Sequence, residues 1–352
     1  MGYTPRVGRP LGRAGVRRES RPLRRHPPAG GSMSSTARSG TTVAVTGAAG
    51  YIGSRVVWQL RRDHPDWSVV ALDNFYLGEV SEIAGVTVQD IDIRDRDRLE
   101  ATLADADVVI HLAAISGVDD CTEQPNLAYE VNALGTMHVA WHCRQTGTPL
   151  VFPFSMAVVG DPPSFPIDAG MPRDPLNWYG ETKVIGERAI ETMAAGSFPA
   201  HLFMISNLYG AHEIGDREVS KGTVINYFVD RALAGESITV YEPGTQSRNF
   251  VHVKDVANAL CLSAERLADG PEGGVRKFEL ASDQDPSVQD VGEMVARLAA
   301  DRRGLAPAVT MVENPRGNET LVERFDVSTS KIRDALGWQP TRSIEQSIER
   351  LL

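Results

Sequence analysis

Cysteine is scarce, and the three cysteines among 352 residues are too far apart to suggest a disulfide framework. Cys121, Cys143 and Cys261 form no CxxC pair, so the sequence gives no sign of a cysteine-rich metal site. Long hydrophobic runs are also missing, and none approaches the roughly 20 residues that a helix needs to cross a bilayer. We therefore expect a protein of the reducing cytoplasm with no metal site and no membrane contact.

Lysine is nearly absent as well, with five residues against 31 arginines. The net charge is −10, yet residues 1–40 hold nine arginines and one acidic residue, which leaves −18 on the remainder. An acidic, lysine-poor surface is one adaptation to high salt, because it holds water and counterions. We expect a halophilic source, and a GC-rich genome that favours arginine codons is the alternative.

Residues 1–40 are rich in Arg, Pro, Gly and Ser and have no periodic apolar pattern, which predicts a disordered tail. No hydrophobic stretch follows Arg17 and Arg18, so a twin-arginine signal is disfavoured. An arm that binds nucleic acid is the alternative. We expect no nucleic-acid partner and interpret the tail as an over-long start, with Met33 as the real initiator.

From residue 41 onward, strand-like and helix-like segments alternate, which is typical of parallel strands joined by helices. The strand-like runs are Thr42–Thr46, Ser68–Leu72, Val86–Gln89, Val108–Leu112, Leu150–Phe154 and His201–Ile205. The helical patterns are residues 51–63, Arg96–Leu103, Asn126–Gln145, Trp178–Met193, Val224–Ala234, Val256–Glu265, Val288–Ala300 and Ser328–Leu336. These patterns predict an α/β fold with a doubly wound parallel sheet of the Rossmann type over residues 41–206. Residues 207–352 should form mainly a smaller substrate-binding lobe, in which Ser287 and Asp290 predict a helix cap.

A glycine-rich turn lies between the first strand and the first helix, with Gly47, Gly50 and Gly53 flanking Tyr51 and Ile52. Gly47 permits a tight turn, Gly50 lets the backbone approach a pyrophosphate, and Gly53 allows close packing of helix on strand. The helix N-terminus offers free N–H groups and a positive dipole to phosphates. A strand before the motif and a helix after it predict a dinucleotide site.

An acidic residue, Asp73, ends the second strand and is followed by Asn74. A carboxylate at this place accepts hydrogen bonds from the adenosine ribose and repels a 2′-phosphate, which favours NAD over NADP. A strand-end aspartate that merely starts a turn is the alternative.

Tyr179 and Lys183 form a YxxxK motif, and positions i and i+4 of a helix share one face. A nearby ammonium and a positively charged nicotinamide should lower the pKa of the Tyr179 phenol towards the working pH. The motif follows Ser155, a hydroxyl residue at the end of the preceding strand. These three residues are the candidate catalytic group.

Together, these motifs resemble the extended short-chain dehydrogenase/reductases, and specifically the NAD-dependent epimerase/dehydratase family, over about residues 42–348. The resemblance also rests on HLAA at 111–114, VNALGT at 131–136, NLYG at 207–210, RNFVHV at 248–253 and LGWQP at 336–340. It implies that Asp92 and Ile93 hold the adenine and that Ala113 lines the cofactor path. It further implies that Asn132 supports the active-site helix and that Asn207 and Arg248 hold the diphosphate of a nucleotide sugar, with Arg316 as a second phosphate ligand.

The segment after the catalytic hydroxyl reads Ser155-Met156-Ala157 and carries no carboxylate. Dehydratases of the family usually have Asp-Glu after the hydroxyl, and decarboxylases often have Glu two places after it. The resemblance therefore favours a UDP-sugar 4-epimerase that works through a transient 4-keto intermediate, and a homodimer is expected. A nucleotide-sugar 4-ketoreductase and a non-catalytic NAD-binding protein are the alternatives, and the residues themselves do not exclude a dTDP- or GDP-sugar.

Overall fold

Strands and helices alternate along most of the chain, as the sequence predicts. The structure is a computed structural model that describes residues 40–270, 273–315 and 319–352. Residues 1–39 of the predicted tail and the predicted phosphate ligand Arg316 lie outside the described residues. No described helix is long and apolar enough to cross a membrane.

The strands are numbered in chain order. They are β1 (Thr42–Thr46), β2 (Ser68–Asp73), β3 (Glu82–Ile83), β4 (Val86–Thr87), β5 (Gln89–Asp90), β6 (Val108–His111), β7 (Leu150–Ser155), β8 (Ala200–Ile205), β9 (Asn207–Tyr209), β10 (His212–Ile214), β11 (Arg217–Val219), β12 (Ile238–Tyr241), β13 (Phe250–His252), β14 (Val275–Leu280) and β15 (Val309–Val312).

The helices are numbered in the same way. They are α1 (Gly53–Asp63), α2 (Arg96–Leu103), α3 (Val118–Glu123), α4 (Pro125–Ala128), α5 (Thr136–Thr146), α6 (Trp178–Ala194), α7 (Val224–Leu233), α8 (Val253–Ala268), α9 (Val288–Arg303), α10 (Ser330–Leu336) and α11 (Ile344–Leu351). A π-helical segment, Tyr129–Gly135, joins α4 to α5, and a 3-10 turn, Met156–Val158, follows β7.

One parallel sheet organises the described part of the chain, with the strand order β14-β8-β7-β6-β1-β2-β5. The chain runs outward from β1 to β2 and β5, and then crosses to β6, β7 and β8 on the other side. The strand order therefore reverses between β1 and β6. Open α/β sheets bind ligands at such a reversal, beyond the carboxyl ends of the strands. This topology confirms the predicted doubly wound Rossmann fold.

Alternate side chains of the strands enter two apolar layers on opposite faces of the sheet, because neighbouring residues of a strand point in opposite directions. On β1, Ala44 packs in the layer that contains Val139 of α5. Val43 and Val45 pack in the other layer, together with residues of α1 and α8.

A third apolar cluster forms the smaller lobe and includes residues of α7, α9 and α11, among them Phe228, Val295 and Ile348. The predicted cap of α9 is confirmed: the Ser287 hydroxyl accepts from the Asp290 backbone N at 3.0 Å, and Asp290 Oδ2 accepts from the Ser287 backbone N at 3.1 Å. This capping box satisfies two backbone donors that a helix start leaves without partners.

Two predicted elements are divided in the structure. The run Val86–Gln89 is not one strand, because β4 pairs antiparallel with β3 whereas β5 joins β2 in the main sheet. Between them the Val88 backbone N donates to the Ser81 carbonyl at 2.9 Å. The single helix predicted over Asn126–Gln145 consists of α4, the π-helical segment and α5. A π-helical turn inserts one residue into the helix repeat, and a pattern of apolar residues does not reveal it.

The strand β14 is absent from the sequence-based prediction, although it pairs with β8 along its whole length. Its first half is partly exposed and carries Arg276 and Lys277, and only its last three residues are buried. The charged half therefore hides the apolar pattern that would indicate a strand. As a result, β14 and α8, which both follow residue 206, belong to the sheet layers rather than to the smaller lobe.

Candidate functional site

A cavity of about 1110 Å³ lies at the carboxyl edge of the sheet, where the strand order reverses. It is lined by the glycine turn, the ends of β2 and β7, the loop after β6, the start of α6 and segments of the lobe. The cavity brings together these residues singled out in the sequence: Gly47, Gly50, Tyr51, Ile52, Gly53, Asp73, Asn74, Asp92, Ile93, Ala113, Ser155, Tyr179, Lys183, Asn207 and Arg248.

Two glycines of the glycine turn lie where a side chain would not fit. Gly47 has a φ of +69°, and a Cβ on it would lie 2.5 Å from the Ala113 backbone N. A Cβ on Gly53 would lie 2.0 Å from the Gly47 carbonyl oxygen. No side chain caps the N-terminus of α1, and its first turn contains no acidic residue. The N-terminal N–H groups of this helix are therefore suited to a phosphate.

Tyr51 connects the glycine turn to the lobe. Its hydroxyl donates to the Gly210 carbonyl at 2.5 Å, and its own carbonyl accepts from His212 Nε2 at 2.9 Å. Burial raises the pKa of Tyr51 above its usual range, so the hydroxyl stays a donor. The loop that would face the cofactor is thereby tied to the part of the chain that closes the other side of the cavity.

Asp73 lines the cavity and also organises the turn that follows β2. Its Oδ2 accepts from the Ala49 backbone N at 3.0 Å, and its Oδ1 accepts from the Phe75 backbone N at 2.8 Å. Burial raises the pKa of Asp73, and these backbone N–H groups oppose that effect. The turn-starting role and a ribose-binding role are compatible, since a carboxylate has lone pairs for further donors.

Asp92 and Ile93 lie at the far end of the cavity. The Asp92 carboxylate forms an ion pair with Arg94 at 2.7 Å and accepts from Asn74 Nδ2 at 3.1 Å. The hydrogen bonds from Arg94 lower the pKa of Asp92 to about 2. Ile93 is buried against Gly135. A Cβ added to Gly135 would lie 2.5 Å from the Cδ1 atom of Ile93. The pair thus places one anionic and one apolar group where the resemblance implies an adenine.

The three candidate catalytic residues meet at the middle of the cavity. Ser155 ends β7 and its Oγ accepts from the Ala157 backbone N at 3.1 Å. Its hydroxyl is close enough to Tyr179 to lower the pKa of that phenol. Tyr179 lies in the first turn of α6, and the ammonium of Lys183, one turn later, is 5.8 Å from the centre of its ring.

Burial controls the proton affinity of this group. It raises the pKa of Tyr179 to about 12, although the hydrogen bond from Ser155 acts in the opposite direction. Burial also lowers the pKa of Lys183 to about 8, so the ammonium form persists at neutral pH. The predicted lowering of the Tyr179 pKa is therefore wrong for the protein side chains alone. Desolvation is the largest effect on this phenol, and a phenolate would need positive charge beside the ring.

Asn132 does not line the cavity but lies directly behind it, buried in the π-helical segment. Its amide donates to the Ile115 carbonyl at 2.9 Å and to Thr182 Oγ1 at 3.0 Å, and accepts from the Ile115 backbone N at 2.8 Å. Thr182 in turn donates to the Tyr179 carbonyl at 2.8 Å. Asn132 therefore joins the loop after β6 to the turn of α6 that carries Tyr179 and Lys183.

Arg248 and Asn207 lie at the lobe side of the cavity. The Arg248 guanidinium donates to the Thr320 carbonyl at 2.7 Å and lies 3.2 Å from Glu319 Oε1. Asn207 Nδ2 donates to the Asn249 carbonyl at 3.1 Å. Burial lowers the pKa of Arg248, but a guanidinium remains charged in either case. The sequence did not predict that Glu319 accompanies this cation.

Lys221 is a second cavity residue that sequence reasoning missed. Its ammonium donates to Ser116 Oγ at 2.6 Å and to the Ser116 carbonyl at 2.9 Å. The two residues are 105 positions apart in the chain, so no local motif joins them. The one available signal was the scarcity of lysine, because Lys221 is one of only five.

Comparisons with known proteins agree with this geometry. The model of the NAD dependent epimerase/dehydratase family matches residues 43–279. A putative UDP-glucose 4-epimerase of Methanocaldococcus jannaschii is 30% identical, over 88% of this chain and 97% of that protein. The UDP-glucose 4-epimerase of Thermus thermophilus, in complex with NAD, has a TM-score of 0.73 at 27% identity and covers 88% of this chain and 99% of its own. MoeE5 in complex with UDP-glucuronic acid and NAD has a TM-score of 0.72 at 27% identity, covering 87% and 96% of the two chains.

The place of Asp73 generates a prediction on cofactor choice. Asp73→Asn should weaken NAD binding by roughly tenfold or more, since hydrogen bonds to a charged group contribute about 1.5–3 kcal/mol. It should also reduce discrimination against NADP, because the charge that repels a 2′-phosphate is lost. Calorimetric dissociation constants for both dinucleotides measure the effect. Asp90→Asn is the matched control, since Asp90 is the register partner of Asp73 on β5 and does not line the cavity. An unchanged NAD:NADP preference in Asp73→Asn would show that selectivity lies elsewhere.

Proposed function

The chain belongs to the NAD-dependent epimerase/dehydratase family, and from this premise we propose that it inverts C4 of a UDP-sugar through a transient 4-keto intermediate. The observation that most supports this reaction is the meeting of Ser155, Tyr179 and Lys183 in one cavity with the glycine turn. A hydroxyl, a phenol and an ammonium that line one cavity are a suitable set for moving a proton to and from a sugar hydroxyl.

The residues present fit NAD. Gly47 and Gly53 leave no room for a side chain, the uncapped start of α1 suits the pyrophosphate, and Asp73 suits the ribose. NAD bound there supplies a hydride acceptor that can take a hydride from the sugar and return it. The polypeptide must therefore orient the sugar, move the hydroxyl proton and keep water away.

Tyr179 is the proposed base that takes the proton of the C4 hydroxyl and later returns it. Its pKa of about 12 in the protein alone makes it the neutral phenol near pH 7, so positive charge beside the ring is required for the phenolate. Lys183 supplies one such charge from the next turn of the helix. Ser155 is the proposed hydrogen-bond partner of the reacting oxygen, because it lines the same cavity as Tyr179 and acts on the pKa of that phenol.

The segment after Ser155 favours epimerisation over elimination or decarboxylation. Met156 is buried and Ala157 has no ionisable group, so this turn offers no acid or base of its own. A 4-ketoreductase would use the same three side chains. It differs in consuming NADH in proportion to product, whereas an epimerase regenerates its cofactor in each turnover.

Tyr179→Phe tests the proposed chemistry. Turnover should fall by about 100-fold or more, the usual contribution of a positioned general base, while NAD binding and the melting temperature stay nearly unchanged. The assay is chromatographic separation of UDP-glucose from UDP-galactose, with absorbance at about 340 nm to detect net NADH change. Tyr227→Phe is the control, since Tyr227 is exposed on α7. Retention of a tenth of the activity would remove Tyr179 from the role of base.

Arg248 is the proposed ligand of the diphosphate, and Arg248→Ala should raise the Michaelis constant for a UDP-sugar about 10- to 150-fold. The maximal rate should change less, because the diphosphate lies away from C4. Removal of Arg248 leaves the Glu319 carboxylate without its ion-pair partner and beside the diphosphate, which it would repel. The double variant Arg248→Ala with Glu319→Gln lacks this repulsion, so it measures the loss of the Arg248 contact alone. Equal turnover of UDP-sugars and sugar 1-phosphates by the unmodified enzyme would refute the nucleotide-sugar proposal.

We propose that the protein forms a homodimer, in which a second copy of the chain packs against an apolar stripe on α5 and the segment just before it. Met137 and Trp141 lie four residues apart on one face of α5, and Leu134 lies just before them in the π-helical segment; each is more than a third exposed. Met137→Glu should convert a dimer into a monomer in sedimentation velocity, whereas Leu233→Glu, at a similarly exposed position on α7, should not. A monomeric parent protein, or equal effects of both variants, would contradict the proposal.

A further inference from the structure

Arg173 joins the strand that carries Ser155 to the helix that carries Tyr179. Its guanidinium lies 5.7 Å from the centre of the Phe154 ring, and Phe154 precedes Ser155 on β7. It also forms a two-pronged ion pair with Glu187 of α6, in which Nε and Nη2 donate to the two carboxylate oxygens at 2.8 and 2.7 Å. An arginine fork on a carboxylate fixes orientation as well as distance, so β7 and α6 are held at a defined spacing.

Glu187 continues the side of α6 on which two of the catalytic residues lie. It follows Lys183 by four residues, as Lys183 follows Tyr179, and its side chain is 1% exposed. Its second cationic partner is Lys277 of β14 at 2.7 Å. Burial raises the pKa of Glu187, but hydrogen bonds from Arg173 and Lys277 outweigh that effect and hold the pKa below its usual value. The carboxylate therefore stays charged near neutral pH, which preserves the ion pair.

The segment that contains Arg173 connects the turn after Ser155 to the start of α6. The Asp174 backbone N donates to the Val158 carbonyl at 3.0 Å, within that turn. Asn177 caps α6, because its side chain accepts from a backbone N–H of the first helical turn at 3.0 Å. A shift of this segment would therefore move the turn after Ser155 relative to the first turn of α6.

The guanidinium of Arg173 is fully engaged away from the cavity. Besides the two bonds to Glu187, it donates to the Met171 carbonyl at 2.6 Å and to the Ala169 carbonyl at 2.7 Å. Neither Arg173 nor Glu187 lines the cavity, so neither is a ligand of the sugar or of the dinucleotide. Their influence on the reaction goes through the side chains whose supports they hold together.

We propose that Arg173 and Glu187 are positioning residues, and that their ion pair sets the separation of Ser155 and Tyr179. The inference rests on the proposed function, which takes Ser155 and Tyr179 as the reacting pair. A misplacement of about 1 Å at a reacting group can cost about 100-fold in rate. Stability alone does not require the ion pair, because well-packed apolar side chains often replace a buried ion pair without loss. Positioning and stabilisation can therefore be separated by experiment.

The test measures the epimerase activity and the melting temperature of full-length, NAD-loaded variants. In the double variant Arg173→Met with Glu187→Met, Lys277 retains Glu191 as a partner, so the change leaves no cation of this cluster unpaired. Its melting temperature should stay close to that of the parent. Its kcat should fall about 10- to 100-fold, while the KM for UDP-glucose and the affinity for NAD change little. Arg173→Lys keeps the charge but not the fork, so it should retain more of kcat than Arg173→Met.

Arg342→Met is the control for lost stability. Arg342 forms an ion pair with the buried Asp255 of α8, and neither residue lines the cavity. Removal of Arg342 leaves a buried carboxylate without its ion-pair partner, so the melting temperature should fall. The kcat of this variant should stay close to that of the parent, because Arg342 does not hold β7 against α6.

A double variant that keeps the kcat of the parent overturns the inference. A loss of kcat in Arg342→Met as large as in Arg173→Met also overturns it, because kcat would then follow stability. If the double variant does not fold, Arg173→Lys takes its place in each comparison.

If the parent protein epimerises no UDP-sugar, the proposed function fails, and crystal structures of the parent and the double variant decide the inference. An increase of about 0.5 Å or more in the distance from Ser155 Oγ to Tyr179 Oη upholds it, since a catalytic group must be held within about that tolerance. An unchanged distance rejects it.

Discussion

Parallel pairing sends the carboxyl ends of the central strands to one edge of the sheet, and the candidate site depends on this single constraint. Asp73 ends β2 and Ser155 ends β7, while Asn207 opens the segment just after β8. These residues are far apart in sequence and share no local structure. They face one cavity because the carboxyl ends of hydrogen-bonded parallel strands lie side by side at the same edge of the sheet. The reversal of strand order next to β1 opens a crevice at that edge.

Fixed backbone geometry then determines what the cavity can accept. The contact of Gly53 with the Gly47 carbonyl brings α1 so close to β1 that the first helical turn faces the cavity. Asn132 fixes the opposite wall by joining Ile115 to Thr182 through buried hydrogen bonds. Between these walls the polar side chains have little freedom, and a buried amide that makes several bonds is a strong constraint on its neighbours.

Local spacing explains which parts could be predicted from the sequence. Helix α2 and strand β1 have the predicted bounds, and the glycine turn, Asp73 and the Tyr179–Lys183 pair all face the cavity. Each of these features depends on residues within a few positions of one another, or on the rule that ligands bind at the carboxyl ends of parallel strands. In the same way, the cap of α9 followed from residues three positions apart.

Features that depend on distant parts of the chain escaped the sequence. The pairing of Lys221 with Ser116 and that of Arg248 with Glu319 join segments that have no common pattern. The raised pKa of Tyr179 is a consequence of burial, which exists only once α6 packs on the layer that contains Phe152 and Phe154. Strand β14 was hidden because its exposed half is charged, and its identity is decided by the open edge of β8.

Residues 338–348 contribute both to the sheet layers and to the smaller lobe. Trp338 packs under the sheet and donates to the Asp255 carbonyl at 2.9 Å, whereas Ile344 and Ile348 complete the core of the lobe. During synthesis on the ribosome, these two apolar clusters therefore remain unfinished until residues 338–348 have emerged. Until then their apolar surfaces lack part of their packing, and transiently exposed apolar surface of this kind is what makes a nascent chain prone to aggregation.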